Sequence, residues 1–305
     1  MVEGGYHGNT SGLVDLSPYK FDGPGGGGRR EHVRVAALPD RHRGEWGYEV
    51  EDAGVRYAQD VDRCVQESAA AGRRTAAFLA ETIPGCAGQV VLPEGYLAEC
   101  YRIVRAAGGL VLADEVQVGC GRVGSHWWAF ETQGVVPDVV TIGKPLGNGH
   151  PLGAVVVTRE VAQSFDGGME YFNTFGGNPV SCAAGDAVLR VIEAEGLMGN
   201  ASETGALLLD GLRSLMERHE GIGDVRGLGL YLGVACVRDR ESSAPDASLA
   251  EAVVEGMMRR GVLLSTDGCD HDVIKMKPPM VFGPADSEHL LAMLDQAFTE
   301  ATNSV

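Results

Sequence analysis

The sequence of 305 residues lacks the cysteine spacing that a disulfide framework or a zinc site requires. Its seven cysteines are scattered and odd in number, and no two of them form a Cys-x-x-Cys arrangement. Disulfide-rich secreted domains and structural zinc sites both show regular cysteine spacing. We therefore expect neither a disulfide-stabilised fold nor a metal centre, and the pattern favours a reducing, cytoplasmic setting.

Long apolar runs and positive charge are also scarce. No segment reaches the roughly 18 consecutive apolar residues of a membrane-spanning helix, and the opening MVEGGYHGNT has no apolar centre of a secretion signal. The chain has 25 Lys and Arg against 42 Asp and Glu, a formal charge of -17. Because this charge repels nucleic acids and anionic lipids, we expect no nucleic-acid and no membrane partner, and we predict a soluble intracellular enzyme.

Short apolar segments alternate with helical patterns along the first two thirds of the chain. The predicted strands are 75–80, 110–113, 138–142 and 153–158, and the predicted helices are 52–71, 97–107 and 178–195. A strand, helix, strand order predicts right-handed parallel crossovers. We therefore expect an α/β fold with a mainly parallel sheet flanked by helices.

The regular alternation of predicted strands and helices ends after residue 195. We predict a helix at 201–218, one long strand at 223–237, a helix ending near 260, short strands at 262–264 and 273–277, and a last helix from 285. Strands and helices here follow no regular parallel order. The expected organisation is a large domain at residues 1–190 and a smaller C-terminal α+β domain at 191–305.

Two ionisable side chains follow neighbouring predicted strands, Asp114 after the first and Lys144 after the second. Ligands of open α/β sheets sit at the carboxyl ends of the strands. Burial would lower the pKa of Lys144 toward the neutral amine that forms Schiff bases. A carboxylate such as Asp114 is what a pyridoxal phosphate site places against the ring nitrogen. Singly, an Asp can be a cap and a Lys a surface charge, but the pair is more specific than either.

The segments around this pair resemble the signature segments of class III aminotransferases, which are pyridoxal 5′-phosphate enzymes of fold type I. The segments read ADEVQVGCGRVG, TIGKPLGNGHPLGAVV and NTFGGNPVSCAAG, and the resemblance extends over nearly the whole chain. It implies that Lys144 forms the Schiff base with the cofactor and that Asp114 pairs with the pyridine nitrogen. It also implies that Gln117 lies near the phenolic oxygen of the cofactor.

Further cofactor contacts are implied by the same resemblance. Tyr6 is expected to stack on the cofactor ring and Glu81 to match the acid after the first strand. From the residues, His7 is expected to orient the cofactor site rather than act as a base. Thr174 is expected to reach the cofactor phosphate of a partner subunit, which implies a homodimer with a shared active site. From the residues alone, Tyr6 could equally be a loop anchor, Glu81 a strand-end cap or a partner of Arg122, and Thr174 a turn residue.

Three other segments look like the branch of ethanolamine-phosphate and phosphohydroxylysine phospho-lyases. They read HGNTSGLVDLSPYKF, GMEYFNT and VIKMKPPMV. In many class III aminotransferases the residue at the position of Lys275 is an arginine that grips a substrate α-carboxylate, a bidentate contact that lysine cannot make. A phosphorylated substrate, attracted by Lys20, Lys275 and Lys277, is then expected, although each lysine could also be a solvated surface charge.

These observations leave three functional hypotheses. The first is a phospho-lyase that converts a phosphorylated amine such as phosphoethanolamine to aldehyde, ammonia and phosphate. The second is a transaminase that passes the amino group of an amine or amino acid to a keto acid, and the catalytic lysine serves both reactions. Family members have a longer region before the YHG segment, which includes the loop around the cofactor phosphate. The resemblance therefore implies an N-terminally truncated chain, and a non-catalytic remnant is the third hypothesis.

Overall fold

The computed structural model describes residues 1–303, and its first half is built on a four-stranded sheet. The strands are β1 (Ala77–Glu81), β2 (Leu110–Asp114), β3 (Val139–Ile142) and β4 (Ala154–Val157), in that spatial order. β1, β2 and β3 are parallel, and β4 is antiparallel to β3. The predicted strands and the mainly parallel sheet are confirmed, with β1 beginning two residues later than expected.

Helices connect and cover this sheet. They are α1 (Ser11–Val14), α2 (Pro18–Phe21), α3 (Ala53–Ala70), α4 (Tyr96–Ala106) and α5 (Arg159–Asp166), and single 3-10 turns span Ala129–Gln133 and Lys144–Gly147. The apolar sides of α3 and α4 form one buried core with the strands, for example Val61 and Tyr96 with Phe78 and Val111. The predicted α3 and α4 are confirmed. The sequence patterning does not predict the short helices α1, α2 and α5, which span only four to eight residues each.

The second half of the chain forms an antiparallel sheet. Its strands are β5 (Ile222–Leu228), β6 (Tyr231–Asp239), β7 (Ala244–Pro245), β8 (Ser265–Asp267) and β9 (Val273–Met276), in the order β5–β6–β9–β8 with β7 paired to β6. Its helices are α6 (Pro179–Ala194), α7 (Leu197–Arg218), α8 (Ala247–Arg259) and α9 (Pro284–Asn303). Leu208, Met257 and Phe298 from three of these helices are buried in one core with Leu232 and Ile274 of the sheet.

Two strand predictions in this half are wrong. The single strand expected at 223–237 is a hairpin, because the chain turns at Gly229, whose φ of +53° lies in the left-handed region. The strand expected at 262–264 is not a strand, and β8 begins at Ser265 instead. Val262 and Leu264 pack against the core of the second half, so their apolar character reflects core contact rather than sheet pairing.

The predicted division into two domains has not been tested and stays a prediction. The boundary expected between residues 190 and 191 falls inside α6, close to the end of that helix. Across residues 1–303, none of the helices combines the length and the apolar character that crossing a membrane would take.

Arg122 links the two halves of the molecule. It lies in the segment after β2, and its guanidinium Nη1 donates to the carbonyl oxygens of Leu230 (2.9 Å) and Pro278 (2.8 Å). The backbone oxygen of Arg122 also accepts from the N–H of Leu230 at 3.0 Å. The tip of the β5–β6 hairpin and the chain after β9 are thereby attached to the first sheet.

Replacement of this guanidinium should destabilise the fold. In Arg122→Met, two partly buried carbonyl groups lose their donor, which costs about 1–3 kcal/mol for unsatisfied polar groups. Urea denaturation followed by circular dichroism measures this loss. The matched control is Arg190→Met, since Arg190 is 77% exposed and pairs with Asp186 on the same helix, and it should change the free energy of unfolding by less than about 0.5 kcal/mol. Equal effects of the two substitutions would contradict the link.

Candidate active site

The register of the parallel strands places three polar residues side by side. Glu81 pairs with Asp114, and Asp114 pairs with Thr141, at the carboxyl ends of β1, β2 and β3. A cleft of about 870 Å³ opens over this edge and is lined by His7, Asp114 and Thr141 among others. Its size is in the range of small-molecule and cofactor sites. The candidate active site is therefore at this edge of the sheet.

Asp114 is held rigidly in this cleft. Its Oδ2 lies 2.8 Å from Nδ1 of His7, and the two side chains are 8% and 1% exposed. Because an ionised carboxylate can only accept, Nδ1 of His7 is the donor. The N–H of Val116 donates to Oδ1 at 3.1 Å, and the N–H of His7 donates to the hydroxyl of Ser17 at 2.9 Å. The carboxylate direction is fixed by these contacts.

Glu81 is buried beside this pair and fixes two backbone groups. Its carboxylate accepts from the N–H of Tyr6 at 3.0 Å and from the N–H of Gly85 at 2.9 Å. Burial raises the pKa of Glu81, and His7 and the two N–H groups oppose that shift. The alternative in which Glu81 pairs with Arg122 is wrong, because the guanidinium of Arg122 contacts backbone carbonyls instead.

Tyr6 lies at the edge of an aromatic and cationic group. Its ring packs edge-on against the ring of Tyr19, with centroids 5.8 Å apart. The amine of Lys20 lies 5.6 Å from the Tyr6 centroid and 5.9 Å from the Tyr19 centroid. These distances suit cation–π contacts. Lys20 is thus beside the expected ring-stacking residue.

Lys277, the residue after β9, reaches Gln117 in the segment after β2. Its Nζ donates to Oε1 of Gln117 at 2.6 Å and lies 4.5 Å from the ring centroid of Tyr231. Burial, and next the positive charge of Lys275, lower the pKa of Lys277 to about 8. The side chain is therefore an ammonium below that pH and loses its charge as the pH rises through it.

Lys275 has a different environment. Its Nζ lies 3.0 Å from Oδ1 of Asp267, and their side chains are 27% and 12% exposed. The other oxygen of Asp267 accepts from Nε2 of the buried Gln89 at 2.8 Å. The charge of Lys275 is already neutralised by a carboxylate, whereas no carboxylate lies as close to the amine of Lys277.

Lys144 is exposed, so the prediction that it is buried at a strand end is wrong. β3 ends at Ile142, Gly143 redirects the chain, and Lys144 begins the 3-10 turn Lys144–Gly147 outside the sheet. No hydrogen-bond or ion-pair partner of its amine is found in residues 1–303. The chain contains only four lysines, and all four are the candidate site residues described above.

Thr174 is not among the residues that line the cleft, although its neighbours Asn173 and Gly176 line it together with Asp114. It lies exposed in the segment between α5 and α6, next to the exposed side chains of Phe172 and Phe175. Its expected contact with the cofactor phosphate of a partner subunit stays a prediction.

The sequence patterning missed two acids that shape the site. Glu115 is fully buried and accepts from the hydroxyl of Thr82 (2.7 Å) and from the N–H groups of Ala129 and Phe130 (both 2.9 Å). A signal was available for Glu115, since two consecutive acids end an apolar strand in LADE. Asp267 carries no such signal, because it stands in the polar segment TDGCD and only the pairing of β8 with β9 brings it to Lys275.

The arrangement fits pyridoxal phosphate. A buried carboxylate in fixed orientation, Asp114, can face a protonated ring nitrogen, and the unpaired amine of Lys144 can take part in a Schiff base. The oxygen of Gln117 is engaged by Lys277, which leaves its NH₂ group as a donor for a phenolic oxygen.

Comparison with known proteins gives concordant matches. The family profile described as Aminotransferase class-III matches residues 1–298. The chain is 48% identical over 299 residues to a Drosophila melanogaster protein named alanine–glyoxylate aminotransferase 2-like, covering 96% of this chain and 60% of that protein. It is 38% identical over 311 residues to Caenorhabditis elegans ethanolamine-phosphate phospho-lyase homolog 1, covering 98% of this chain and 67% of that protein.

A solved structure is similar over nearly the whole chain. The phospholyase from Arthrobacter, in complex with phosphoethanolamine, superposes with a TM-score of 0.91 at 39% identity, covering 98% of this chain and 70% of that one. The present chain thus spans 60% of the Drosophila protein and 67% of the Caenorhabditis protein.

The low pKa of Lys277 can be measured directly. After reductive ¹³C-methylation, the four lysines should give four resolvable NMR signals, and the signal of Lys277 should titrate near pH 8 because burial disfavours its charged form. Lys277→Arg removes that signal and so assigns it. A Lys277 signal that titrates near 10.4, the value of an exposed lysine, would contradict the buried environment.

Proposed function

Because the chain belongs to the class III aminotransferases, enzymes of fold type I whose cofactor is pyridoxal 5′-phosphate, we propose that it eliminates phosphate from a phosphorylated primary amine such as phosphoethanolamine. Elimination leaves an enamine, which water then hydrolyses, so the products are an aldehyde, ammonia and inorganic phosphate. We further propose that it acts as a homodimer in which Thr174 of each subunit contacts the cofactor phosphate bound by the other subunit.

The observation that carries this proposal is the environment of Lys277. Its ammonium lies between Gln117 and Tyr231. A lysine is a compact point charge that binds phosphate well. Among the three lysines expected to attract a phosphate, Lys275 is paired with Asp267 and Lys20 lies over two aromatic rings, so Lys277 is the best candidate. Two of the similar proteins described above are named as phospho-lyases, which supports the same reaction class.

The proposed roles of the site residues follow from their positions. When bound, pyridoxal phosphate supplies a ring that accepts the electrons left by deprotonation next to the amine. Asp114, oriented by His7, would stabilise the protonated form of the ring nitrogen. The amine of Lys144 removes the proton from the amine-bearing carbon. The C–O bond on the neighbouring carbon then breaks, the electron pair leaves with the phosphate, and Lys277 stabilises the charge of that leaving group.

Transamination is the second candidate, favoured by the similarity to a protein named as an aminotransferase. Both reactions begin with the same proton transfer to Lys144. They diverge at the carbon next to the amine-bearing one: a phosphate there can leave, whereas without a leaving group the amino group is retained for transfer.

Phosphate release separates the two candidates. The purified protein with pyridoxal phosphate should release inorganic phosphate from phosphoethanolamine without any added keto acid, and Lys144→Ala should lower the rate by about 10³-fold or more, since a general base contributes about 10²–10⁴-fold. A colorimetric phosphate assay measures both. Amino transfer that requires a keto acid, with no phosphate release, would identify a transaminase instead. Absence of a visible cofactor absorbance band in the wild type would identify a non-catalytic chain.

The pH dependence tests the role of Lys277. For phosphoethanolamine, kcat/KM should fall as the pH rises through about 8, because the Lys277 ammonium loses its proton there. Lys277→Met should raise KM by about 10–100-fold, the equivalent of one charge-assisted hydrogen bond of about 1.5–3 kcal/mol. Lys277→Arg is the matched control: its guanidinium stays charged, so the fall in kcat/KM should move to higher pH. Identical pH profiles for the wild type and Lys277→Arg would assign the fall to another group.

A further inference from the structure

Two ammonium groups and one carboxylate meet where β9 ends. The amines of Lys275 and Lys277 lie 3.0 Å and 4.0 Å from the two oxygens of Asp267. Met276, between the two lysines, is 1% exposed and packs into the core of the second half. Alternate residues of an extended chain point to the same side, so both lysines lie on one side of the chain, line one cavity and share one acid.

Asp267 cannot easily turn away from this position. It is in β8, paired in register with Val273 of β9. Its second oxygen accepts from Nε2 of Gln89 at 2.8 Å, and the same Nε2 donates to the carbonyl of Gly85 at 2.9 Å. Gln89 itself is 0% exposed. The carboxylate is therefore held against Lys275 by a buried amide.

The charges in this cluster match one substrate anion and not two. Two ammonium groups and one carboxylate leave a single net positive charge, on the side of Lys277, because Asp267 is closer to Lys275. A phosphate monoester has a second pKa of about 6 and so carries most of two negative charges at neutral pH. An additional carboxylate on the substrate would find Lys275 already paired and would lie near the like charge of Asp267. Such a juxtaposition is unfavourable in a partly buried site.

Other positive groups nearby do not change this balance. The guanidinium of Arg122 is engaged with the carbonyls of Leu230 and Pro278. Lys144 has its proposed role at the cofactor. Glu81 also lies near Lys277, and burial raises the pKa of Glu81, which disfavours a negative charge there.

We propose that Asp267 is a specificity-determining residue: by neutralising Lys275 it selects amines whose only anionic group is the phosphate and excludes those that also carry an α-carboxylate. This inference rests on the proposed function, since it assumes that Lys277 receives the substrate phosphate.

The test uses two unreactive ligands that differ by one carboxylate. 2-Hydroxyethyl phosphate and 3-phospholactate both lack an amine, so binding to the protein loaded with pyridoxal phosphate is measured by calorimetry at pH 7 without turnover. The wild type should bind 2-hydroxyethyl phosphate at least about 10-fold more tightly, which is 1.4 kcal/mol. Asp267→Asn should reduce this preference to less than about 3-fold, chiefly by tighter binding of 3-phospholactate.

The matched control removes the same charge three residues away. Asp270 is exposed, and Asp270→Asn should leave the wild-type preference unchanged, which separates a local effect of Asp267 from a general change in net charge. Lys275→Met is a second variant. It removes the ammonium closest to Asp267. It should weaken the binding of both ligands, and the binding of 3-phospholactate should weaken by the larger factor.

The outcomes separate this inference from the proposed function. An unchanged preference in Asp267→Asn, together with phosphate release by the wild type, would overturn the role of Asp267 and leave the phospho-lyase intact. A reduced preference without phosphate release would support the role of Asp267 in a different reaction. Failure of the wild type to bind either ligand would overturn the inference.

Discussion

The parallel pairing of β1, β2 and β3 is the constraint on which the rest of the candidate site depends. It aligns Glu81, Asp114 and Thr141 at one edge of the sheet. Asp114 is buried there and needs partners, which His7 and the N–H of Val116 provide. Glu81, buried next to it, holds the backbone of Tyr6 and so anchors the segment that carries both Tyr6 and His7. One register thus places two acids at one edge of the sheet and, through their contacts, orders the segment that carries Tyr6 and His7.

The second half of the chain supplies the charged side chains that we propose to face the substrate. Arg122 attaches the β5–β6 hairpin and the chain after β9 to the first sheet, and Gln117, five residues earlier, holds Lys277. Side chains proposed to face the cofactor therefore come from the first half of the chain, and Lys277, proposed to face the substrate phosphate, comes from the second half. In the proposed function, the charge pattern around Lys275, Lys277 and Asp267 therefore sets substrate choice without altering Asp114 and Lys144.

Sequence patterning succeeded where local physical chemistry decides the outcome. The apolar periodicity of α3, α4 and α9 reflects burial of one helix side, and the short apolar runs that precede Asp114 and Lys144 form β2 and β3 of the mainly parallel sheet. It failed where the outcome depends on the next residue or on a distant segment. Lys144 was expected to be buried, but Gly143 turns it out of the sheet. The run 223–237 is apolar throughout, and only the backbone conformation of Gly229 divides it into two strands.

By itself, the sequence determined the class of chemistry: an acid and an amine at neighbouring strand ends, within motifs that resemble class III aminotransferases, already indicated pyridoxal phosphate. The tertiary structure alone decided how the lysines differ. Lys275 and Lys277 are two residues apart and look equivalent in the sequence, yet one is neutralised by Asp267 and the other is held by Gln117 over Tyr231. The physical reason is that the charge and pKa of a side chain depend on desolvation and on its nearest partners in space, and those partners come from β6, from β8 and from the segment after β2.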